Sequence, residues 1–508
     1  MLQAGSRFLM MVRNVSASYR NTYNLSLPGF LPEVGDMLGQ YRGSDGIFTP
    51  GIDFAMGLVG DSYLDKAKRN GWLLCADSVS TPATTAVTED LQLKASLEPF
   101  TDLKIDLNAS WTKNTNRSIQ YMYQGNPTTE TGSLNMTTIS IRTAFQGPGN
   151  ASNGYASKAF TRFQSNLDVM QQRVEQRYMG TKYPEGVGHT GNFNPENGTV
   201  SRYSADVMIP AFLAAYTGGN AHHASLDIFP AITRMLPNWN MTYKGLSNLP
   251  WLRDHFKSIT LTHGYKSIFS IGSYNTYSSW IQTMGGSDLG FIENTTTGGY
   301  MPSSMYDIST VSINESFAPL AGLNVTFQNN MTAKLEYRTT RVLTLSMTAL
   351  QINEASSKDI VLGWGYKIPD FKIASLFKGK RSSQRANTGS KKGNSRDQEN
   401  KAGSKETQNN RSTSRNSKSN FAHSLDLRFD FSFRNQSALT RDIQTGLSEA
   451  TSGNRAIKAS FKCDYAMSRL VTFSLYYDRQ RNAPLLSNNA FPTITQDFGF
   501  SLRFSLTR

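Results

Sequence analysis

Six histidines, His189, His222, His223, His255, His263 and His423, are the side chains best suited to metal binding or proton transfer. None stands in an H-E-x-x-H, H-x3–5-H or Cys–His pattern, the spacings that bring two ligands onto one face of an element. His222 and His223 are adjacent, which turns their rings apart on a helix or a strand, so they read as loop-lining residues. Cys75 and Cys463 lie about 390 residues apart, match no metal spacing and imply no disulfide framework. Cys463 falls on the apolar side of a strand pattern, where a small buried thiol is expected. No motif joins a serine to a histidine as a Ser–His hydrolase requires. Gly57-Leu58-Val59-Gly60 and Gly298-Gly299 lack the Lys-Ser/Thr pair of a phosphate loop. Asp45 lies in Gly43-Ser44-Asp45-Gly46, a turn and not a calcium loop, and the Asn-x-Ser/Thr triplets at Asn14, Asn108, Asn240 and Asn324 follow from abundant Asn and Thr. The expectation is a protein with no catalytic constellation, no metal site and no cofactor.

The informative pattern lies in the elements. Ser424 to Arg434 reads Ser-Leu-Asp-Leu-Arg-Phe-Asp-Phe-Ser-Phe-Arg. Leu425, Leu427, Phe429, Phe431 and Phe433 alternate with Asp426, Arg428, Asp430 and Ser432, so a strand here has one apolar and one polar face. About ten residues suffice to cross the hydrocarbon layer as a tilted strand. The period returns in Val87–Leu97, Leu103–Trp111, Ile457–Tyr465, Val471–Tyr477 and Phe498–Leu506. Further candidates are Leu9–Tyr23, Leu134–Phe145, Trp239–Leu246, Ser258–Ser273, Ile308–Phe317, Leu323–Phe327, Thr332–Arg338, Val342–Ile352 and Ile360–Ile368. Thr440–Glu449 reads as a weaker strand closed by the turn signal Thr451-Ser452-Gly453-Asn454, and about fifteen strands result.

Two segments change period. Between Tyr155 and Tyr178, Phe160, Phe163, Leu167, Met170 and Val174 are spaced for a helix that Gly180 stops. Ser204–Tyr216 is a second helix ending at Gly218-Gly219. Both are too polar to span a membrane. They form a helical and loop insertion, 146–235, placed in a long loop, at a barrel rim or inside the lumen.

Composition fits this reading. Of 508 residues 18% are charged, with 28 Phe and 22 Tyr, and no run approaches the roughly 18 apolar residues of a spanning helix. A mean hydropathy of −0.42 is compatible with a β-barrel, whose strands give only alternate residues to lipid. The net charge of +14 is concentrated: 378–420 holds twelve Lys or Arg against three Asp or Glu, hence +9. That tract lacks aromatics for base stacking, so it reads as a disordered basic loop and not as a nucleic-acid site. Counting strands back from a periplasmic C-terminus puts the tract outside the cell. The apolar run Phe8–Val12 is too short for a signal peptide, and the expectation is a C-terminal part of a longer chain.

Several blocks carry a family likeness. They are Ser26-Leu27-Pro28-Gly29-Phe30, Asn70-Gly71-Trp72, Asn238-Trp239 through Leu249-Pro250-Trp251, Gly272-Ser273-Tyr274 and Asn330-Met331-Thr332-Ala333-Lys334. The tail adds Asn482-Ala483-Pro484-Leu485, Ala490-Phe491-Pro492-Thr493 and Asp497-Phe498-Gly499-Phe500-Ser501-Leu502-Arg503-Phe504. Together they resemble the SprA/Sov family, the outer-membrane translocons of the type IX secretion system, linked to gliding motility in Bacteroidota. The resemblance covers most of the chain outside the basic tract. It implies that 1–508 is the C-terminal portion of a very large antiparallel transmembrane β-barrel with inserted loop helices, in the class that reaches about 36 strands. It also implies secreted cargo proteins, contact with outer-membrane lipid, a PorV-like partner barrel and a periplasmic plug. No catalytic residue is carried over. Three other readings share the alternation: an ordinary porin or nutrient-transporter barrel, a surface β-sandwich adhesin, and an enzyme barrel. The sandwich differs in hiding its apolar face in a protein core.

Overall fold

The computed structural model describes residues 11–505 except 34, 36–37, 44–45, 61, 75–80, 122–127, 186–190, 284–288, 295–297, 370, 372–422, 469 and 486–490. The basic tract 378–420 and Cys75 lie outside the described residues.

The strands are β1 (Val12–Ser26), β2 (Tyr41–Arg42), β3 (Phe48–Thr49), β4 (Ala83–Leu97), β5 (Leu103–Ile119), β6 (Thr129–Thr137), β7 (Asn238–Tyr243), β8 (Phe256–Thr276), β9 (Ile281–Gln282), β10 (Gly290–Glu293) and β11 (Tyr300–Pro302). They continue with β12 (Tyr306–Phe327), β13 (Met331–Ser346), β14 (Gln351–Pro369), β15 (Ser424–Asp442), β16 (Ser448–Ala466), β17 (Val471–Pro484) and β18 (Thr493–Phe504). Thirteen of them form one sheet in the order β1-β4-β5-β6-β8-β12-β13-β14-β15-β16-β17-β18, with β7 also between β5 and β8. Every pairing in it is antiparallel, and among the described residues β1 and β18 each pair on one side only. The helices are α1 (Ile52–Ala55), α2 (Ser62–Arg69), α3 (Ile141–Ala144), α4 (Lys158–Tyr178), α5 (Ala205–Thr217) and α6 (Pro250–Arg253).

Five expectations are corrected. Val342–Ile352 is not one strand, because β13 ends at Ser346 and β14 begins at Gln351 after a turn. Thr440–Glu449 is not a separate strand: β15 runs unbroken to Asp442, then turns through 443–447 into β16. The turn read at 451–454 lies inside β16, where Gly453 pairs Ser437 and Leu485 packs where a side chain would go. Leu134–Phe145 is strand only to Thr137, because Ser140 and Thr143 turn inward and α3 begins. Removing the false strand also reverses the basic tract. Ser424, Pro369 and Ala466 are neighbours at one end of the sheet, and Phe504 closes on Val471 at that same end. The tract's flanks thus leave from the end where β18 finishes.

Register assigns faces without ambiguity, because a strand's side chains alternate and paired residues share a side. Phe429 pairs Trp364 and Phe461, Phe461 pairs Tyr477, and Tyr477 pairs Phe498, which makes one aromatic row across five strands. Adjacent rows hold Leu427, Cys463, Leu475 and Phe500, and Leu323, Leu335, Leu362 and Phe431. Cys463 is on this apolar face as expected, but only half-buried. The band continues through Leu103, Ile105 and Leu107 of β5 to Leu93, Ala95 and Leu97 of β4. It hugs the sheet end whose turns include 98–102, 328–330 and 467–470. The strands run on past it; β12 has 22 residues, about 70 Å of chain.

Candidate functional site: two faces of one wall

The face opposite the band is mostly polar, broken by one small apolar row of Ile268, Val342, Ala355 and Ala438. One row reads Lys334, Gly363, Asp430, Ser460, Asp478, Asp497. Charges on it are paired within or between strands: Lys334 Nζ to Glu336 at 2.9 Å, Arg434 Nε to Asp359 at 3.0 Å, Lys462 Nζ to Asp464 at 2.9 Å, and Lys104 Nζ to Asp106 at 2.9 Å. Arg338 also contacts Glu336, and the Ser96 hydroxyl donates to Asp106 at 2.9 Å. Gly363 keeps this row open, and Gly365 does the same in the next row, between Thr332 and Arg428. A Cβ at Gly363 would lie 3.1 Å from Asp430, and one at Gly365 2.6 Å from Thr332. The surface is charged of both signs, solvated and shallow.

The band face carries the insertion. Chain leaves the sheet at Thr137, at the end of β6, and returns at Asn238, at the start of β7. The Ser157 hydroxyl caps α4 by accepting from Phe160 N at 3.4 Å, and the helix runs to Tyr178 before Gly180, at φ 81°. α5 is apolar nearly all round, as a helix covered on two sides must be. It lies against α4, with Phe163 edge-on to Phe212 at 6.4 Å. Together they bury Phe269 and Ile271 of β8, Val311 and Ile313 of β12, Leu343 and Leu345 of β13, and Ile352 of β14. Parity puts all of these on the band side. A smaller cap, with Tyr63, Leu64, Trp72 and Leu73 around Leu25, Ile119 and Ala83, also packs there. The helices lie in the long connection between β6 and β7 and pack on the band side of the sheet, away from the polar face, which is neither the rim nor the lumen of the expectation.

Between band and insertion lies a belt of buried charge that sequence reading missed. Arg341 Nη2 donates to Glu315 at 2.8 Å and to Thr143 Oγ1 at 2.9 Å, and Nη1 donates to the Thr143 carbonyl at 2.8 Å. The Ser140 and Tyr265 hydroxyls donate to Glu315 at 2.6 and 2.8 Å. Arg441, fully buried, donates to Glu354 by Nε at 3.1 Å and Nη2 at 2.9 Å. It also reaches the carbonyls of Tyr155 at 2.6 Å and Pro148 at 3.1 Å. Buried charges persist only when paired and hydrogen-bonded. The sequence signal was present: single charges within apolar alternation on neighbouring strands, Glu315 beside Ile313 and Phe317, Arg341 beside Leu343. In the insertion, Asp206 of α5 accepts from Ser304 N at 2.7 Å, and burial raises its carboxyl to about 6 against the opposing pull of that bond and of Arg177.

His223 lines a groove at the base of the insertion, and His263 Nδ1 meets the Leu320 carbonyl at 2.6 Å on the band face. Among the described residues no three His, Cys, Asp or Glu gather as a metal site. No helix there is long and apolar enough to cross a membrane, which leaves crossing by strands open.

No protein-family model matches the chain, and no curated protein matches its sequence. Among solved structures, the β domain of the Bordetella autotransporter Brka aligns at 7% identity over 84% of this chain and 92% of that one, TM-score 0.22. OmpT, an outer membrane protein of Vibrio cholerae in its trimer form, aligns at 8% identity over 84% and 93%, TM-score 0.19. Neither assigns a function.

Proposed function

We propose that the chain is a sector of an outer-membrane β-barrel wall, and that its polar face lines a passage for exported proteins in a type IX secretion translocon. The observation that carries the wall is the exposed aromatic row. Phe429 is 41% exposed, Phe498 68% and Phe500 72%, on a sheet whose other face is charged. An uncovered apolar band of this extent calls for an apolar medium, and a soluble sandwich would have covered it with a second sheet. Strand edges do not survive in lipid unpaired, so β1 and β18 are seams where further strands join. Among the described residues the sheet is twelve strand positions wide, with β6 and β7 sharing one, and its two edges do not pair with each other, which fits a sector of a wider barrel and the passage of proteins better than of nutrients.

Short turns and a nearby band mark the periplasmic end of such barrels. The flanks of 370–423 then lie in the periplasm, the side of the expected plug. Transport through this wall draws on shape and charge and needs no cofactor. The SprA/Sov likeness supplies the cargo class and the PorV-like partner.

The test is site-specific photo-crosslinking in secreting cells carrying the full-length protein. A crosslinker at Ser432, on the polar face, is expected to trap secreted proteins, and one at Phe431 to trap lipid. Cargo at neither polar-face position tried, Ser432 or Ser460, would refute the translocon reading while leaving the wall intact.

A further inference from the structure

A groove of about 630 Å³ opens where the insertion leaves and re-enters the sheet. Its floor is Met136, and its walls include Ile139, Arg142, Leu213, Arg234 and Leu236. Its height is fixed by topology. Residues 138–142 follow β6, residues 230–236 precede β7, and Trp239 of β7 stacks on Tyr265 at 4.5 Å at the top of the band. Below it the apolar surface is continuous: Phe145, 64% exposed, packs on Phe317 at 5.3 Å, and Phe317 on Tyr265 at 4.9 Å. Ile232 and Leu236 are exposed beside it. Arg142 donates to the Gly218 carbonyl at 3.2 Å, and neither it nor Arg234 has a carboxylate within ion-pair range among the described residues. Asp227, the groove's acidic residue, is held by Ser225.

We propose that this groove binds one anionic lipid of the outward-facing leaflet, its phosphate between Arg142 and Arg234 and its acyl chains running down past Phe145 and Phe317 onto the band. Two unpaired guanidiniums above an apolar descent complement an anionic amphiphile and not a free ion, because guanidinium pairs phosphate through parallel N–H bonds while the exposed aromatics need cover. Zwitterionic lipid shares the chains but adds a cation that faces the same arginines. The proposal rests on the outer-membrane wall reading.

The experiment is native mass spectrometry of the full-length protein from micelles holding equal phosphatidylglycerol and phosphatidylcholine. One phosphatidylglycerol is expected to be retained, at about tenfold preference. Arg142→Gln with Arg234→Gln should abolish that preference. Arg234→Gln alone, a change to an exposed side chain, should cut it about threefold. Arg253→Gln, at the opposite end of the sheet, should leave it unchanged. Equal retention of both lipids by the wild type would overturn the proposal, as would millimolar inorganic phosphate displacing the lipid, which would mark a free-anion site. A lipid-phase quencher at Phe429 separates the two readings. Quenching there without lipid preference sinks only the groove, whereas no quenching sinks the wall and the groove with it.

Discussion

The two ends of β12, β13 and β14 present one face of one sheet to different surroundings. At the insertion end, Val311, Ile313, Leu343, Leu345 and Ile352 are all fully buried beneath α4 and α5. At the other end of the same face, Leu335 is 44% exposed and Leu362 41%, with Phe429 and Phe498 beside them. Both ends alternate in sequence with the same period. The residue types overlap: Leu335 and Leu362 lie in the open band, and Phe269 of β8 lies under the helices. Period identifies a strand's apolar face; only the covering element, or its absence, says what that face meets.

The strongest way to break the comparison acts on the belt between the two ends. Arg441→Ala leaves Glu354 buried without its partner, at a cost of about 3–5 kcal/mol. The insertion should come off the wall while the band stays folded. Protease cleavage within 158–217 should rise sharply with heat-modifiable mobility of the full-length protein retained. Loss of both together would show that band and insertion are one cooperative unit.

Next in size is Phe429→Arg. In a lipid-facing wall a midplane arginine costs about 2–4 kcal/mol. Membrane assembly should fall accordingly, while Leu345→Arg, on the same face but under helices, should instead disturb the insertion. Equal assembly of Phe429→Arg and wild type would remove lipid from the band.

Asp206 tests the covered end by pH. Its folded value near 6 stands above the ordinary carboxylate range, so the folded state favours the protonated acid. The stability it confers is full below the unfolded value near 4 and is lost as pH rises through about 6. Allowing for its partial exposure, the swing is about 2–3 kcal/mol. Thermal release of the insertion should therefore come earlier at pH 7 than at pH 4.5, and Asp206→Asn should flatten the difference. An unchanged slope in that variant would place the titration elsewhere.

The band was legible because alternation, strand length and aromatic content all agree from Leu425 to Phe433. Strand ends were less so. Gly453 and Asn454 look like a turn, yet they lie in mid-strand because β17 extends to Pro484 and supplies a partner. Tertiary pairing overrode local preference there. The helices α4 and α5 were readable from their spacing, but their side of the wall was not. That side depends on where β6 stops and β7 starts, at Thr137 and Asn238, and on Glu315 and Arg341 needing cover. A single charge in an apolar strand looks like noise until the facing strand's charge is aligned with it.

The smallest expected effect concerns the polar face, and it sharpens the contrast from the other side. Asp430 lies directly across the sheet's thickness from the band, in the row of Gly363 and Ser460. Arg428, its neighbour on that face, already pairs Asp426 at 3.2 Å with 59% of the Arg428 side chain exposed. Exposed pairs contribute about 0–1 kcal/mol, and substitutions facing water are tolerated where lipid-facing ones are not. Asp430→Asn should leave assembly unchanged and shift only cargo crosslinking or its salt dependence. If Asp430→Asn impaired assembly as much as Phe429→Arg, the two faces would not differ in environment, and the division between wall and passage would fail with them.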